Sequence, residues 1–326
     1  MVLQRASFVG ASLLAGLVGA ASAGNPRPIV GILSMPNTAY AASHGFSFFP
    51  ASYVKWLEAG GARVVPIPFD LAEPQLSALL AQINGALFTG GAAAFFEADG
   101  TTLTQYGAAG QRIFNESVAA HAAGETWPLW GTCLGHQFIS VLAAGADGSV
   151  LTGGFDSENL TEAVAFAPAA DASSLWGEGG QLNWAARTLA AEAVAINEHS
   201  FGITPADFAR SEKLSSTMTV LATQTDRAGK AFTASQEGQG GLPVYSTQWH
   251  PEKSLFEWPD ASQIVHNLTA VLSNHFPVAF FASKAAENSR SFADANAEYG
   301  ALIYNFSPLY GVSSYFEQLY FFPKSA

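Results

Sequence analysis

Short apolar runs alternate with amphipathic segments through the first half of the chain. The apolar runs cover residues 29–33, 62–68, 85–91 and 127–132, and the amphipathic segments cover residues 52–59, 74–83, 104–123 and 134–144. Runs of this length are typical of buried strands, whereas the longer segments have helical spacing. Strands separated by helices pair in parallel through right-handed crossovers, with helices on both faces of the sheet. The pattern therefore predicts an α/β fold with a mainly parallel central sheet.

The rest of the pattern is less regular. A long polar and aromatic loop is predicted at residues 34–50, and irregular or antiparallel strand at residues 149–166. Residues 193–201 predict a strand that runs into a polar turn. Residues 218–223 and 231–235 flank a polar turn with a glycine, which is typical of a hairpin. Further helices are predicted at residues 184–192, 260–275 and 278–288.

The first 23 residues have the pattern of a secretory signal peptide. Arg5 precedes an apolar core at residues 8–20, and small residues follow up to Ala23. This pattern predicts cleavage after Ala23, with an uncleaved anchor as the alternative. No later run is long and apolar enough to cross a membrane, and no second domain boundary is visible. We therefore expect residues 24–326 to form a single domain in the secretory pathway.

The glycosylation sequons and the single cysteine are consistent with a protein of the secretory pathway. Four Asn-x-Ser/Thr sequons follow the signal, which predicts a glycoprotein with candidate sites at Asn115, Asn159, Asn267 and Asn305. Cys133 is the only cysteine of the chain, so no internal disulfide can form. The stability of the folded chain must therefore come from its hydrophobic core.

The charge of the chain excludes some partners. Because residues 1–23 hold one basic residue and no acidic residue, the remainder holds 13 basic and 26 acidic residues. Such a surface repels nucleic acid and anionic membranes, so neither is expected as a partner. It also repels an anionic small molecule, which would need a few local cations or an acidic compartment in order to bind.

Cys133 lies where a predicted strand meets a predicted helix. The strand, residues 127–132, ends in Gly131-Thr132, and the helix begins at Leu134. A side chain on such a turn projects from the carboxyl end of the sheet beside free helix N–H groups, as in a nucleophile elbow. These donors and the helix dipole favour an anionic sulfur. The alternative is an inert, buried cysteine.

His250 and Glu252 form a second candidate constellation. They lie two residues apart at the end of a strand, so their side chains point to the same face. A carboxylate placed in this way can hold one imidazole nitrogen and leave the other to exchange a proton with a thiol. The alternative is a surface turn. His199 follows another strand and is either a binding residue or a solvated turn histidine.

No spacing of His, Cys, Asp and Glu is typical of a metal site, and we expect neither a metal nor a cofactor.

With these residues in view, the chain resembles the gamma-glutamyl hydrolases, a branch of the class I glutamine amidotransferase-like superfamily. The resemblance covers nearly all of residues 28–326. It rests on five stretches: Leu87-Phe88-Thr89-Gly90-Gly91, Trp130-Gly131-Thr132-Cys133-Leu134-Gly135, Asn197-Glu198-His199-Ser200, Gln248-Trp249-His250-Pro251-Glu252-Lys253 and Ala301-Leu302-Ile303-Tyr304-Asn305-Phe306-Ser307-Pro308.

The resemblance implies a flavodoxin-like three-layer sandwich that hydrolyses folylpoly-gamma-glutamates. By motif position, Cys133 is the nucleophile, His250 the acid–base and Glu252 its orienting carboxylate. His199 matches an additional site histidine of the branch. Similar hydrolases act in lysosomes, in vacuoles or outside the cell, often as dimers, so a homodimer is a further expectation.

The mechanism that follows is amide hydrolysis through a thioester. In it, the backbone N–H groups of Leu134 and Gly91 stabilise the oxyanion.

Two positions depart from the pattern of this branch. Gln137 is typical of glutamine amidotransferases, whereas several gamma-glutamyl hydrolases have an acidic residue there. Thr89 replaces a frequent proline. The glutamyl pocket is therefore expected to include Gln137, and a glutaminase or amidotransferase activity is the main alternative. A secreted binding protein without catalytic activity is a third hypothesis, which the intact Cys133 and His250 disfavour.

Overall fold

The computed structural model describes residues 24–326. The predicted signal peptide, residues 1–23, lies outside the described residues. Within the described part, no helix is long and apolar enough to cross a membrane.

The bounds of the regular elements are as follows. The strands are β1 (Ile29–Leu33), β2 (Met35–Pro36), β3 (Ser47–Pro50), β4 (Arg63–Ile67), β5 (Ala86–Phe88), β6 (Leu129–Thr132), β7 (Thr152–Glu162), β8 (Ala165–Phe166), β9 (Gly177–Glu178), β10 (Gln181–Leu182), β11 (Ala195–Gly202), β12 (Met218–Thr225), β13 (Ala231–Gly238), β14 (Val244–Thr247), β15 (Leu309–Tyr310) and β16 (Gln318–Phe322). The helices are α1 (Ala51–Ala59), α2 (Glu73–Leu80), α3 (Gln105–Ala122), α4 (Leu134–Ala143), α5 (Trp184–Ala191), α6 (Pro205–Arg210), α7 (Glu212–Thr217), α8 (Lys253–Phe256), α9 (Leu268–Ala286) and α10 (Ala295–Ala301).

An eight-stranded sheet forms the centre of the molecule, in the order β4-β1-β5-β6-β14-β13-β12-β8. The five strands from β4 to β14 pair in parallel. The remaining three strands are antiparallel. Parallel strands need a long crossover, which helices provide here. The antiparallel strands β12 and β13 are joined directly by a short hairpin.

Helices cover both faces of this sheet. Along β1, Ile29 and Leu33 belong to one apolar cluster, and Val30 and Ile32 belong to the other. Alternate residues of a strand point to opposite faces, so the two clusters lie on opposite sides of the sheet. The first cluster includes side chains of α2, α3 and α4, and the second includes side chains of α1, α5 and α9. The predicted three-layer α/β sandwich is confirmed.

Three details of the prediction were wrong. His199, which was predicted to follow a strand, lies within β11 and pairs with Ser157 of β7. The segment predicted as a loop at residues 34–50 contains β2 and β3, which pair with each other, and β3 also pairs with β16 in a second sheet. The two helices predicted at residues 260–275 and 278–288 are one helix, α9, which runs through Pro277. It begins late because the Asn267 side chain accepts the Ala270 N–H and caps its first turn. Pro277 removes one hydrogen bond, but it is buried, as is its neighbour Val278.

Two glycines offer a test of the packing at the sheet. A Cβ atom on Gly135, in α4, would overlap the carbonyl oxygen of Phe88 in β5, whereas a Cβ atom on Gly300, in α10, would meet no atom within 4 Å. We expect Gly135→Ala to lower the free energy of unfolding by about 1–3 kcal/mol or more. The matched variant Gly300→Ala should raise it by up to about 1 kcal/mol. Urea unfolding of both variants measures the difference, and equal effects would contradict the described approach of α4 to β5.

Candidate active site

Cys133 occupies a sharp turn between β6 and α4. Its φ of 52° and ψ of −103° lie outside the usual regions for a residue with a side chain. Two hydrogen bonds fix this turn: the Cys133 N–H donates to the Thr247 carbonyl at 2.9 Å, and the Gly135 N–H donates to the Thr89 carbonyl at 3.1 Å. The strained conformation is therefore held by the neighbouring strand ends, as in a nucleophile elbow.

The side chains of His250 and Glu252 form a buried pair beside this turn. Nδ1 of His250 lies 2.6 Å from Oε1 of Glu252, and both side chains are almost fully buried. A Cβ atom built on Gly90 would lie 2.5 Å from Cε1 of His250 and 3.3 Å from Cβ of Cys133. The imidazole and the thiol thus lie against the same residue, and only a glycine leaves room for both of them.

The charge state of His250 follows from its neighbours. Burial by itself lowers the pKa of His250, because the imidazolium loses its hydration. The Glu252 carboxylate and then the Cys133 sulfur outweigh burial and raise the pKa to about 10. His250 therefore remains protonated through the acidic and neutral pH range while these partners are in place.

Two residues with unpaired backbone N–H groups, Gly91 and Leu134, lie near Cys133. Among the described residues, the N–H groups of Gly91 and Leu134 donate no hydrogen bond to another backbone group. Leu134 is the first residue of α4, where helix geometry leaves the N–H unpaired. Gly91 has a φ of 144°, which favours glycine. Both residues line the same cavity as Cys133.

A cavity of about 790 Å³ opens beside the cysteine. It extends between the carboxyl ends of the parallel strands and the first turns of α3 and α4, where ligand sites of such sheets lie. All four residues that were predicted to bind substrate or the oxyanion line it: Gly91, Leu134, Gln137 and His199.

His199 is buried in the wall of this cavity. Its Nδ1 lies 2.8 Å from the Phe201 carbonyl, which can only accept, so Nδ1 carries the proton. Burial lowers its pKa to about 4 despite that bond. His199 is therefore neutral, and its Nε2 is an unprotonated acceptor. Among the described residues, this nitrogen has no hydrogen-bond partner.

Gln137 contacts the same carbonyl of β11 as His199 does. Its Nε2 donates to the Phe201 carbonyl at 2.7 Å and lies 3.4 Å from Oε1 of Gln248. The side chain is 5% exposed. An amide suits this position because it donates a second hydrogen bond to the Phe201 carbonyl, beside that of His199, and an ionised carboxylate has no proton to donate.

Tyr53 and Glu198 are site residues that sequence reasoning missed. The Tyr53 hydroxyl accepts the Gly90 N–H at 2.8 Å and lies 3.3 Å from Nδ1 of His250, so it joins the glycine loop to the histidine. The carbonyl of Glu198 lies 3.7 Å from Sγ of Cys133. Tyr53 occupies a buried position of an amphipathic helix, and a backbone carbonyl carries no sequence signal, so neither contact had a pattern to reveal it.

His136 does not line the cavity. Its Nδ1 lies 2.9 Å from Oγ of Ser246, and its Nε2 lies 3.1 Å from Oγ1 of Thr233. Burial lowers the pKa of His136 to about 3. It is a neutral core histidine beneath the elbow. Across residues 24–326, no group of three or more His, Cys, Asp or Glu side chains could hold a metal ion.

The four sequon asparagines lie in different surroundings. Asn115 is exposed on α3, and the exposed Asn267 caps α9. The side chain of Asn159 is bonded at both ends to the loop at residues 261–263. The Nδ2 of Asn305 donates to three carbonyls at the end of α10.

The fold and this site define a class: an α/β protein with a cysteine, a histidine and a carboxylate at the carboxyl edge of a parallel sheet. The family model for peptidase C26 matches residues 28–252. The gamma-glutamyl hydrolase of Mus musculus is 35% identical over 302 residues, which cover 92% of this chain and 90% of that protein. The gamma-glutamyl hydrolase of Homo sapiens is 35% identical over 308 residues, which cover 91% of this chain and 90% of that protein. Gamma-glutamyl hydrolase B of Dictyostelium discoideum is 33% identical over a match that covers 92% of this chain and 84% of that protein.

The chain belongs to the peptidase C26 family. The predicted resemblance to gamma-glutamyl hydrolases is confirmed, and the protein is a hydrolase of that type.

The His250–Glu252 pair predicts a specific pH effect. Glu252→Gln keeps an acceptor for Nδ1 but removes the charge that opposes the effect of burial, so the pKa of His250 should fall. The wild-type imidazolium persists until the pH rises to about 10, and the variant should lose it at lower pH. We expect kcat/KM to fall about tenfold or more and its alkaline limb to move to lower pH.

The pH profile of kcat/KM for a gamma-glutamyl substrate, from about pH 4.5 to about pH 10.5, measures this effect. Glu257→Gln, which changes another fully buried carboxyl group of the same segment, is the matched control. An unchanged alkaline limb in Glu252→Gln, or the same shift in both variants, would contradict the role assigned to Glu252.

Proposed function

We propose that this protein hydrolyses the gamma-glutamyl amide bonds of poly-gamma-glutamylated folates, with Cys133 as its nucleophile. The observation that carries the proposal is the strained elbow of Cys133, which lies beside the His250–Glu252 pair at the wall of a large cavity. Membership of the peptidase C26 family and the gamma-glutamyl hydrolases among its relatives support the same reaction.

The first step forms a thioester. The Cys133 sulfur attacks the gamma-carbonyl carbon, and the carbonyl oxygen becomes an oxyanion that the N–H groups of Gly91 and Leu134 stabilise. Each such donor lowers the barrier by roughly 3 kcal/mol in comparable sites. As the C–N bond breaks, protonated His250 gives its proton to the leaving amine, which departs as the next glutamate of the tail.

The second step restores the enzyme. Neutral His250 removes a proton from water, which attacks the thioester carbon and releases the gamma-carboxylate and the Cys133 sulfur. Glu252 keeps the imidazole in the tautomer and orientation that both steps need. Tyr53 holds the Gly90–Gly91 segment against the same imidazole, so the oxyanion donor and the acid–base group are positioned together.

A glutaminase activity is the second candidate, and Gln137 is the observation that favours it. Its amide lies in the cavity and is fixed by the Phe201 carbonyl. The two functions differ in leaving group, ammonia in one case and a glutamate in the other. A kcat/KM for free glutamine above that for gamma-diglutamate would favour the glutaminase.

The location of the enzyme is a further part of the proposal. The signal-peptide pattern of residues 1–23 supports a secretory route, and we place its end outside the cell or in a lysosomal or vacuolar lumen. We expect the full chain, expressed in a secreting eukaryotic host, to reach the medium or the lumen with Gly24 as its first residue. Amino-terminal sequencing checks this, and a retained Arg5 would contradict cleavage after Ala23.

The central test compares the wild-type protein with Cys133→Ala on a folate penta-gamma-glutamate, from about pH 4.5 to about pH 7.5. Wild-type protein should shorten the tail across this range, including its acidic end, because His250 stays protonated throughout it. The products resolved by mass should show where the tail is cut. Cys133→Ala should lose the activity by a factor of at least about 1,000, because no other nucleophile replaces the thiol.

Thermal unfolding of both proteins provides the control for folding. Cleavage that persists in folded Cys133→Ala would exclude the thioester mechanism. A folded wild-type protein that leaves the tail intact but hydrolyses glutamine would establish the glutaminase instead.

A further inference from the structure

The sequon at Asn267 lies beside an apolar patch that the fold leaves in solvent. Leu268, Leu272 and Phe276 follow at four-residue intervals in α9, so they share one face of the helix. Leu268 is 72% exposed and Leu272 46%, and the ring of Phe276 packs against that of Trp184, which is 44% exposed. We refer to these four side chains as the α9 patch. A contiguous exposed apolar patch usually marks a surface that another group covers.

The side chain of Asn267 caps α9 with one atom and leaves the other free. Its Oδ1 accepts the Ala270 N–H at 2.8 Å, whereas its Nδ2 donates no hydrogen bond within residues 24–326. The residue is exposed and directly precedes Leu268, the first residue of the helix. An N-linked sugar replaces one hydrogen of Nδ2 and leaves the oxygen as an acceptor. The helix cap and a glycan are therefore compatible on this residue.

Two other sequon asparagines already use the nitrogen that would carry a sugar. Nδ2 of Asn305 donates to three carbonyls at the end of α10, and the shortest of these bonds is 2.6 Å. Nδ2 of Asn159 donates to the Ala261 carbonyl at 3.2 Å, while its Oδ1 accepts the Gln263 N–H at 2.7 Å. A sugar on either nitrogen would break these bonds. The fourth asparagine, Asn115, belongs to α3, which covers the opposite face of the sheet from α9.

We propose that Asn267 carries an N-linked glycan whose first sugars lie on the α9 patch, and that Asn159 and Asn305 remain unmodified. The donor is an oligosaccharide joined to a lipid diphosphate. Nδ2 bonds to C1 of the first sugar, the bond from C1 to the phosphate oxygen breaks, and Nδ2 loses one proton. The C–H face of a sugar ring then covers leucine side chains while its hydroxyl groups stay in water.

This inference rests on the secretory route of the proposed function, because only chains that enter that route receive such a glycan. It does not depend on the hydrolytic reaction. Among the described residues that line the cavity beside Cys133, none belongs to α9. Loss of the glycan should therefore change the surface of the protein and leave kcat/KM as it is.

Mass spectrometry of glycopeptides tests the site. The full chain is expressed in a secreting eukaryotic host, and each sequon peptide is weighed before and after enzymatic removal of N-glycans. Asn267 should be glycosylated in most molecules, and Asn159 and Asn305 in few. A bare Asn267 on a chain that has lost its signal peptide would reject the inference alone, as would equal occupancy at Asn305. Retention of Arg5 with every sequon bare would reject the proposed route as well.

The variant Thr269→Ala tests whether the glycan covers the α9 patch. It destroys the sequon but keeps Asn267 as the helix cap, and the Thr269 hydroxyl makes no hydrogen bond within the described part of the chain. The folded variant should enhance the fluorescence of an apolar dye such as anilinonaphthalene sulfonate about twofold or more over the wild type. Thr269→Ser keeps the sequon, and as the matched control it should behave like the wild type.

A second substitution in the Thr269→Ala protein locates the dye. Leu272→Gln should return the fluorescence toward the wild-type level, whereas Val118→Gln, which changes a 38% exposed apolar residue of α3, should not. Equal fluorescence of Thr269→Ala and a glycosylated Thr269→Ser would overturn the covering role of the glycan. Self-association of the wild-type glycoprotein that Leu272→Gln abolishes in sedimentation velocity would assign the patch to a second copy of the chain instead.

Discussion

The site depends on one strained residue that its neighbours hold in place. Cys133 has a positive φ, and hydrogen bonds from the turn to the ends of β14 and β5 keep it there. A conformation of this kind costs about 1–3 kcal/mol, and it persists only where the surroundings over-determine it. The close packing of Gly131 and Gly135 against each other supplies that constraint. The strain therefore places the sulfur at the sheet edge, and the fold stabilises the strain.

The buried pair of His250 and Glu252 shows how burial and charge act together. Burial alone would discharge the imidazole, but a carboxylate at 2.6 Å reverses the effect. Water is largely excluded, so the interaction is screened less than a surface pair would be. His199, equally buried but bonded only to a carbonyl, is discharged. His250 is thus protonated and His199 is neutral, and the main difference between them is the Glu252 carboxylate.

The parts of the fold that could be predicted from the sequence are those with a signal in neighbouring residues. Apolar runs and amphipathic segments marked the sheet, its helices and the turn at Cys133, because each depends on residues close together in the chain. The structure brings the residues of the distant motifs together. The pairing of β3 with β16 left no local trace, since it joins residues about 270 positions apart. Tyr53 and the Glu198 carbonyl were also missed, because only the folded chain shows which polar atoms meet.

The pairing of β16 has a consequence for the order in which the protein matures. The strand β2, whose Pro36 lines the cavity, pairs with β3, and β3 completes its hydrogen bonds only with β16. A ribosome releases residues 318–322 long after the parallel sheet has emerged, and early segments begin to fold during synthesis. The wall of the cavity formed by β2 is therefore completed last. A chain that ends before β16 would therefore lack the strand that completes the sheet behind Pro36.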